Sequence, residues 1–103
     1  MVKLARRAAR EGDGTLTIGT LLPVTGSLAF LGPPEVAGVQ LAVQEINAAG
    51  GVLGKDVVLV EGDSGDTENK VAPTTVQTLL SKNVDGIIGA ASSSVSLSVV
   101  DTI

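Results

Sequence analysis

The chain has 103 residues, 44% of them apolar, and its one aromatic residue is Phe30, which fits one small domain with an aliphatic core. Seven basic and eleven acidic residues give a net charge of −4, and the acidic excess lies beyond residue 14, which argues against nucleic acid and anionic lipid as partners. Because the chain has no histidine and no cysteine, metal sites of the His/Cys type and catalysis by imidazole or thiol groups are excluded.

Residues 1–14 carry basic side chains at helical spacing, but Leu4 is their lone leucine and offers little apolar area to a membrane or a partner helix. We therefore expect a disordered or frayed basic tail here. No segment of the chain has the length of a membrane span or the apolar region of a secretory signal, so no signal is visible in this sequence.

Strand one is predicted over residues 15–22, which alternate weakly and then become apolar. Pro23 ends it because proline cannot donate a hydrogen bond to a sheet. The loop that follows, residues 24–34, carries two bulky apolar residues, Phe30 and Leu31. Either both fold back over the core, or one of them forms the wall of a ligand pocket.

An amphipathic helix is predicted from Glu35 to Ala49, because apolar residues recur there every three or four positions. One face should be buried against the sheet, and Gly50 and Gly51 should end the helix. Gly38 lies inside it and costs about 1 kcal/mol relative to alanine. The apolar face consists of Val36, Val39, Ala42, Val43, Ile46 and Ala49.

A buried strand two is predicted over residues 57–60, a β-branched run bounded by turn residues. Three carboxylates follow it, those of Glu61, Asp63 and Asp66. Carboxylate oxygens are the ligands of hard divalent cations, but the spacing is not that of an EF-hand loop. The plainer interpretation is that Asp66 or Thr67 caps the next helix.

Helix two is predicted over residues 67–83 with a kink or a late start at Pro73, because proline inside a helix removes a hydrogen bond and clashes with an earlier carbonyl. Its inward residues should be Val71, Val76, Leu79 and Leu80.

Strand three is predicted over residues 84–89, and helix three from Ser92 or Ser93 onward. Ser92, Ser93 and Ser94 thus lie between a strand end and a helix start. Either one serine caps the helix and the others are solvated, or the three hydroxyls bind a small carboxylate or another acceptor-bearing ligand. The helical pattern stops at the last residue without a cap, so we expect the chain to be truncated.

The alternation of strands and helices predicts an α/β fold: a parallel, three-layer, Rossmann-like sheet with strand order 2-1-3 and a ligand site at the carboxyl edge. The chain lacks a Gly-x-Gly-x-x-Gly turn after strand one, a phosphate loop after any strand, and the acidic pair of a phospho-receiver domain. No base and nucleophile form a recognisable pair, so the sequence favours a binding site over catalysis and predicts no cofactor.

Over residues 15–103 the sequence resembles the leucine/isoleucine/valine-binding proteins, the extracytoplasmic solute-binding subunits of ATP-driven (ABC) importers. The most specific element is Ala-Val-x-Glu-Ile-Asn-Ala-x-Gly-Gly-x-x-Gly at residues 42–54. Further similarity lies in residues 18–27, 63–66 and 87–94. The resemblance implies a type I periplasmic-binding-protein fold, of which residues 15–103 would form the amino-terminal part of lobe one.

The resemblance also implies roles for single residues. Ser93, flanked by Ser92 and Ser94, corresponds to a serine that hydrogen-bonds the carboxylate of the ligand, and Leu31 corresponds to a bulky wall residue of the side-chain pocket. Gly65 and Ser92 occupy the positions of a cysteine pair found in some members, so this chain cannot form that disulfide.

The implied function is non-enzymatic: capture of a branched-chain amino acid or a similar small solute, such as an amide or a urea-like compound, and its delivery to a membrane permease. The second lobe would be missing from this chain. The implied location is periplasmic or extracellular, with a membrane tether if a lipoprotein signal lies upstream. Two alternatives remain open, an extracytoplasmic ligand-sensing receptor domain of the same fold and a fragment of a cytoplasmic α/β enzyme.

Overall fold

The computed structural model describes residues 2–4 and 13–103. The elements are β1 (Val2–Leu4), β2 (Thr17–Leu22), α1 (Gly32–Ala48), β3 (Val58–Asp63), α2 (Ala72–Ser81), β4 (Gly86–Gly89) and α3 (Ser93–Val99). The predicted strands one, two and three correspond to β2, β3 and β4, and a short 3-10 turn, Ala29–Leu31, leads into α1.

The described strands form one sheet in the order β1-β4-β2-β3. β2 lies between β3 and β4 and runs parallel to both, with Leu22 opposite Asp63 and Leu21 opposite Gly89. The predicted order 2-1-3 and the α/β class are therefore confirmed. Parallel strands need crossover connections, and α1 and α2 supply them.

β1 pairs antiparallel with the free edge of β4, with Val2 opposite Ile88 and Leu4 opposite Gly86. The expectation of a disordered or frayed tail over residues 1–14 does not describe these three residues. An edge strand presents unpaired N–H and C=O groups, and pairing with β1 satisfies those of β4. Residues 1 and 5–12 of the expected tail lie outside the described residues.

The core lies on the face of the sheet that α2 and α3 cover. Gly19 of β2 lacks a side chain where Leu79 of α2 packs, since a Cβ at that position would lie 3.2 Å from the Leu79 side chain. This packing is entirely aliphatic, as the composition predicts. Its buried members are Leu21, Ala72, Val76, Leu79, Val84, Ile87, Val95 and Val99.

The opposite face of the sheet carries α1 and an open apolar groove of about 590 Å³ beside it. The expectation that one face of this helix is buried is wrong: Gly32 is its one buried residue, and Ile46 is 42% exposed. Periodicity identifies an apolar face, but here no second helix among the described residues covers it. The groove is lined mainly by Leu16, Ile18, Leu22, Val39, Val43 and Ile88.

Of two further expectations, one is wrong and one is confirmed in part. β3 is an edge strand and is half exposed along its length, so it is not the buried strand that its β-branched run predicts. α2 begins at Ala72, five residues later than predicted, with Pro73 in its first turn, where proline loses no hydrogen bond. The late start at Pro73 is thus confirmed.

No described helix is long and apolar enough to cross a membrane.

Candidate functional site

Three loops leave the carboxyl edge of the sheet side by side, because β3, β2 and β4 are parallel neighbours whose ends are in register. The loop after β2 carries Phe30 and Leu31. Asp63 is the last residue of β3, and Asp66 lies in the loop after it. Ser92 ends the loop after β4, and Ser93 and Ser94 begin α3. The topology therefore brings the sequence-predicted ligand residues to one edge, as in other open α/β sheets.

The three serine hydroxyls at this edge are not used to cap α3. Ser92 is the N-cap residue with an extended backbone (φ −96°, ψ 130°), but its side chain makes no capping hydrogen bond. Its hydroxyl lies 3.5 Å from that of Ser94, at the limit of a hydrogen bond. Ser93 and Ser94 are exposed. The capping interpretation is thus not seen in the structure, and the hydroxyls remain accessible at the sheet edge.

Ser96 is a residue that sequence reasoning missed. Its hydroxyl accepts a hydrogen bond of 3.2 Å from the Ala90 amide and so ties the loop after β4 to α3. The signal was present as a fourth serine one helical turn after Ser92, but four serines within residues 92–96 do not reveal which one turns inward.

The loop after β2 folds back so that its last residues contact its first residues. Gly32 packs so closely on Pro23 that a Cβ at residue 32 would overlap the Pro23 carbonyl oxygen. Leu31, the residue before this contact, is half-buried, whereas Phe30 is 72% exposed. The interpretation that both residues fold back over the core is therefore wrong for Phe30, and both lie beside the carboxyl edge.

Asp63 holds the start of this loop. Its Oδ1 accepts hydrogen bonds from the amides of Val24 at 2.9 Å, Thr25 at 3.1 Å and Gly65 at 2.8 Å. Its Oδ2 accepts a bond of 2.6 Å from the Thr25 hydroxyl. Burial acts to raise the pKa of this carboxyl, but the four hydrogen bonds outweigh burial and hold the pKa below its ordinary value of 3.8.

Asp66 holds the middle of the same loop. Its Oδ2 accepts a bond of 2.8 Å from the Ser27 amide, and its Oδ1 accepts bonds from the amides of Glu68 at 2.9 Å and Asn69 at 2.8 Å. Bonds from the amides of Asn69 and Ser27 are the main causes that lower the pKa of this carboxyl. Asp66 thus caps a turn that precedes α2, and not the helix itself.

The three carboxylates that follow the predicted strand two do not converge on one point. Glu61 accepts a hydrogen bond from the Gln40 side chain of α1, while Asp63 and Asp66 are engaged by loop amides. Within residues 2–4 and 13–103, no group of three or more His, Cys, Asp or Glu side chains could hold a metal ion. The divalent-cation interpretation is therefore not supported by the geometry.

A family model for periplasmic binding proteins matches residues 15–103, which include every element of the sheet edge described above. The chain belongs to the periplasmic binding protein family. The family is one of solute-binding proteins, which agrees with an edge that carries exposed serine side chains and amides engaged by neighbouring loops.

Curated relatives of this family member include Leu/Ile/Val-binding protein homolog 7 of Brucella abortus strain 2308, 41% identical over 93 residues, and homolog 8 of Brucella suis biovar 1, also 41% identical over 93 residues. In each case the match covers 89% of this chain and 23% of the relative. The chain thus spans about a quarter of the length of these relatives.

Among solved structures, the family member is similar to the branched-chain amino acid transporter substrate-binding protein LivJ of Streptococcus pneumoniae, whose structure contains isoleucine. The TM-score is 0.63 at 38% sequence identity, and the match covers 75% of this chain and 22% of LivJ. The likeness thus extends over sequence and three-dimensional structure together.

Proposed function

We propose that this chain is the amino-terminal part of lobe one of an ABC-importer substrate-binding protein, and that it binds the carboxylate end of a branched-chain amino acid or a similar small solute. The observation that carries this proposal is the group of serine hydroxyls after β4: Ser93 and Ser94 are exposed, and the N-cap residue Ser92 makes no capping hydrogen bond to α3. The names of its relatives and the isoleucine in LivJ support the choice of solute.

In this proposal the Ser93 hydroxyl donates a hydrogen bond to the ligand carboxylate, and the hydroxyls of Ser92 and Ser94 supply further hydrogen bonds. A serine hydroxyl can rotate to point its hydrogen at an anion, so binding requires little rearrangement of the protein. Hydrogen bonds to charged groups stabilise by about 1.5 to 3 kcal/mol, which makes Ser93 an effective anchor. Leu31 forms the wall against the ligand's aliphatic side chain, where apolar contact favours leucine, isoleucine and valine over polar amino acids.

The remaining contacts come from a second lobe that closes over the ligand and binds its amino group. Closure is stabilised by the contacts that the ligand makes with both lobes at once. Outside the cytoplasm, the loaded protein then delivers its solute to a membrane permease. A lipoprotein tether would keep the binding protein at the membrane surface. No covalent chemistry on the solute is involved.

The test is a chimaera in which residues 15–103 replace the matching segment of the pneumococcal LivJ. We expect saturable isoleucine binding by calorimetry, and Ser93→Ala should weaken it by about 1 to 3 kcal/mol, or roughly 5- to 150-fold. Ser81→Ala is the matched control, because that hydroxyl donates to the Thr78 carbonyl at the far end of α2. A folded chimaera that binds no isoleucine, or equal affinities for the Ser93 and Ser81 variants, would contradict the proposal.

A further inference from the structure

The loop that carries Leu31 has little apolar packing of its own at its start, since Val24, Thr25, Gly26 and Ser27 are all exposed. A loop with exposed backbone and few buried contacts opens easily unless hydrogen bonds hold it. Here the loop amides are held by two carboxylates, Asp63 at the end of β3 and Asp66 in the loop after it, at sequence separations of 38 and 39 residues.

The two carboxylates act on successive parts of the loop, and together we call them the Asp63/Asp66 clasp. Asp63 binds the residues directly after β2, and Asp66 binds the Ser27 amide further along. Gly26, between these anchors, has φ +91°, and a Cβ there would collide with the Asp66 carboxylate. The approach of this carboxylate to the loop backbone thus requires glycine at position 26.

Asn69 joins the two halves of the clasp into one unit. Its Nδ2 donates to the Thr25 hydroxyl oxygen at 3.0 Å, and its Oδ1 accepts from the Asp66 amide at 3.0 Å. The Thr25 hydroxyl in turn donates to Asp63. These hydrogen bonds link Asp63, Thr25, Asn69 and Asp66 in one network, so each side chain helps to fix the orientation of its neighbour.

The clasp is connected to Leu31 by a short, tightly turned segment. The Ala29 amide donates to the Gly26 carbonyl at 3.2 Å, and the Leu31 amide donates to the Leu28 carbonyl at 2.9 Å. Gly32 then packs on the Pro23 carbonyl and closes the loop. Displacement at Gly26 or Ser27 is thus transmitted to Leu31 through two consecutive turns.

We propose that Asp63 and Asp66 are positioning residues for ligand selectivity: by fixing the loop after β2 they set how closely Leu31 approaches the aliphatic side chain of the bound solute. The inference rests on the proposed function, because it gives Leu31 a ligand to approach. Neither carboxylate touches the ligand in this account. Their partners are backbone amides, that of Asn69 included, and the Thr25 hydroxyl, which also accepts a hydrogen bond from the Asn69 side chain.

The clasp itself is tested in the 103-residue chain by amide hydrogen exchange measured with NMR. Asp63→Ala should accelerate exchange at Val24 and Thr25 by about 10- to 100-fold, because each amide loses a bond to a charged acceptor. The Leu21 amide inside β2 should not change. Glu61→Ala is the matched control, since that carboxylate bonds to α1 instead. Unchanged rates in the Asp63 variant, or equal changes in both variants, would overturn the clasp.

The role in selectivity is tested in the LivJ chimaera by comparing affinities for isoleucine and alanine. Leu31→Ala should lower the preference for isoleucine by about tenfold, because it removes the contact with the ligand's side chain. Asp63→Ala should lower it about as much, because the released loop no longer holds Leu31 at that side chain. The double variant should lose no more preference than Leu31→Ala alone, since the two residues act in series. A merely structural role of Asp63 would lower both affinities alike and leave the preference unchanged.

The outcomes separate the two proposals. If the parent chimaera binds isoleucine and the Asp63 variant keeps its full preference, the positioning role is wrong and the proposed function stands. If the parent chimaera folds without binding isoleucine, the proposed function fails, and the ligand role of the clasp fails with it. If the Asp63 variant does not fold, Asp66→Ala, which removes the second anchor at Ser27, answers the same question with the same two ligands.

Discussion

Two glycines of α1 make a matched pair for testing the packing of the site loop. Gly32 has helical dihedral angles (φ −59°, ψ −55°), so alanine would not strain its backbone, but the new Cβ would overlap the Pro23 carbonyl oxygen. Gly38 lies in the same helix, and a Cβ there would have nothing within 4 Å. The same substitution should therefore have opposite effects at the two positions.

The magnitudes follow from two separate terms. Gly38→Ala should raise the free energy of unfolding by about 0.5 to 1 kcal/mol, the difference in helix propensity between the two residues. Gly32→Ala should lower it by about 1 to 3 kcal/mol, the usual cost of forcing extra volume into a packed site. For a domain of this size, 1 kcal/mol corresponds to a shift of roughly 4 to 8 °C in Tm.

The assay is urea and thermal unfolding of the three chains, followed by far-UV circular dichroism. If Gly32→Ala leaves Tm unchanged or raises it, the close approach of α1 to the end of β2 is wrong. If Gly38→Ala lowers Tm, the open space over that position is wrong. The Gly38 variant also shows that alanine as such is tolerated in this helix.

Three further outcomes are expected. The pKa values of Asp63 and Asp66 are lowered in the folded state, so both carboxylates stabilise the fold fully above the ordinary pKa of 3.8 and lose this contribution as the pH falls through their folded-state pKa values. The stability of Asp63→Asn should therefore depend less steeply on pH in the acid range, and equal acid unfolding curves would contradict this. Asn47→Ala should cost about 1 to 3 kcal/mol in urea unfolding, since that side chain bonds both the amide (2.7 Å) and the carbonyl (3.1 Å) of Val57; a loss below 0.5 kcal/mol would be too small for two such bonds. The 103-residue chain alone should show no thermal shift with leucine or valine, since in the proposed function the remaining ligand contacts come from the second lobe, and a saturable shift would contradict that division.

The order of the parallel strands could be predicted because each signal is local. Pro23 ends β2, Gly50 and Gly51 adopt positive φ after α1, and short apolar runs mark β3 and β4. Right-handed crossovers then leave few arrangements of three parallel strands. The serines at the carboxyl edge follow directly from that topology.

What the sequence could not show depends on contacts between distant segments. The pairing of β1 with β4 involves three residues whose pattern is too short to predict a strand. The open face of α1 has an amphipathic pattern, but a pattern cannot tell whether another element covers it. The bonds from the loop after β2 to Asp63 and Asp66 have no local signature at all, because the partners lie 38 or 39 residues apart.

A crystal structure of the LivJ chimaera with isoleucine tests the role of Ser93 most directly. We expect a ligand carboxylate oxygen about 2.5 to 2.7 Å from the Ser93 Oγ, the length of a hydrogen bond between a hydroxyl and a carboxylate. We also expect the aliphatic side chain of the ligand to contact Leu31. A ligand whose carboxylate is bound elsewhere, with the Ser93 hydroxyl facing solvent, would contradict the proposed function.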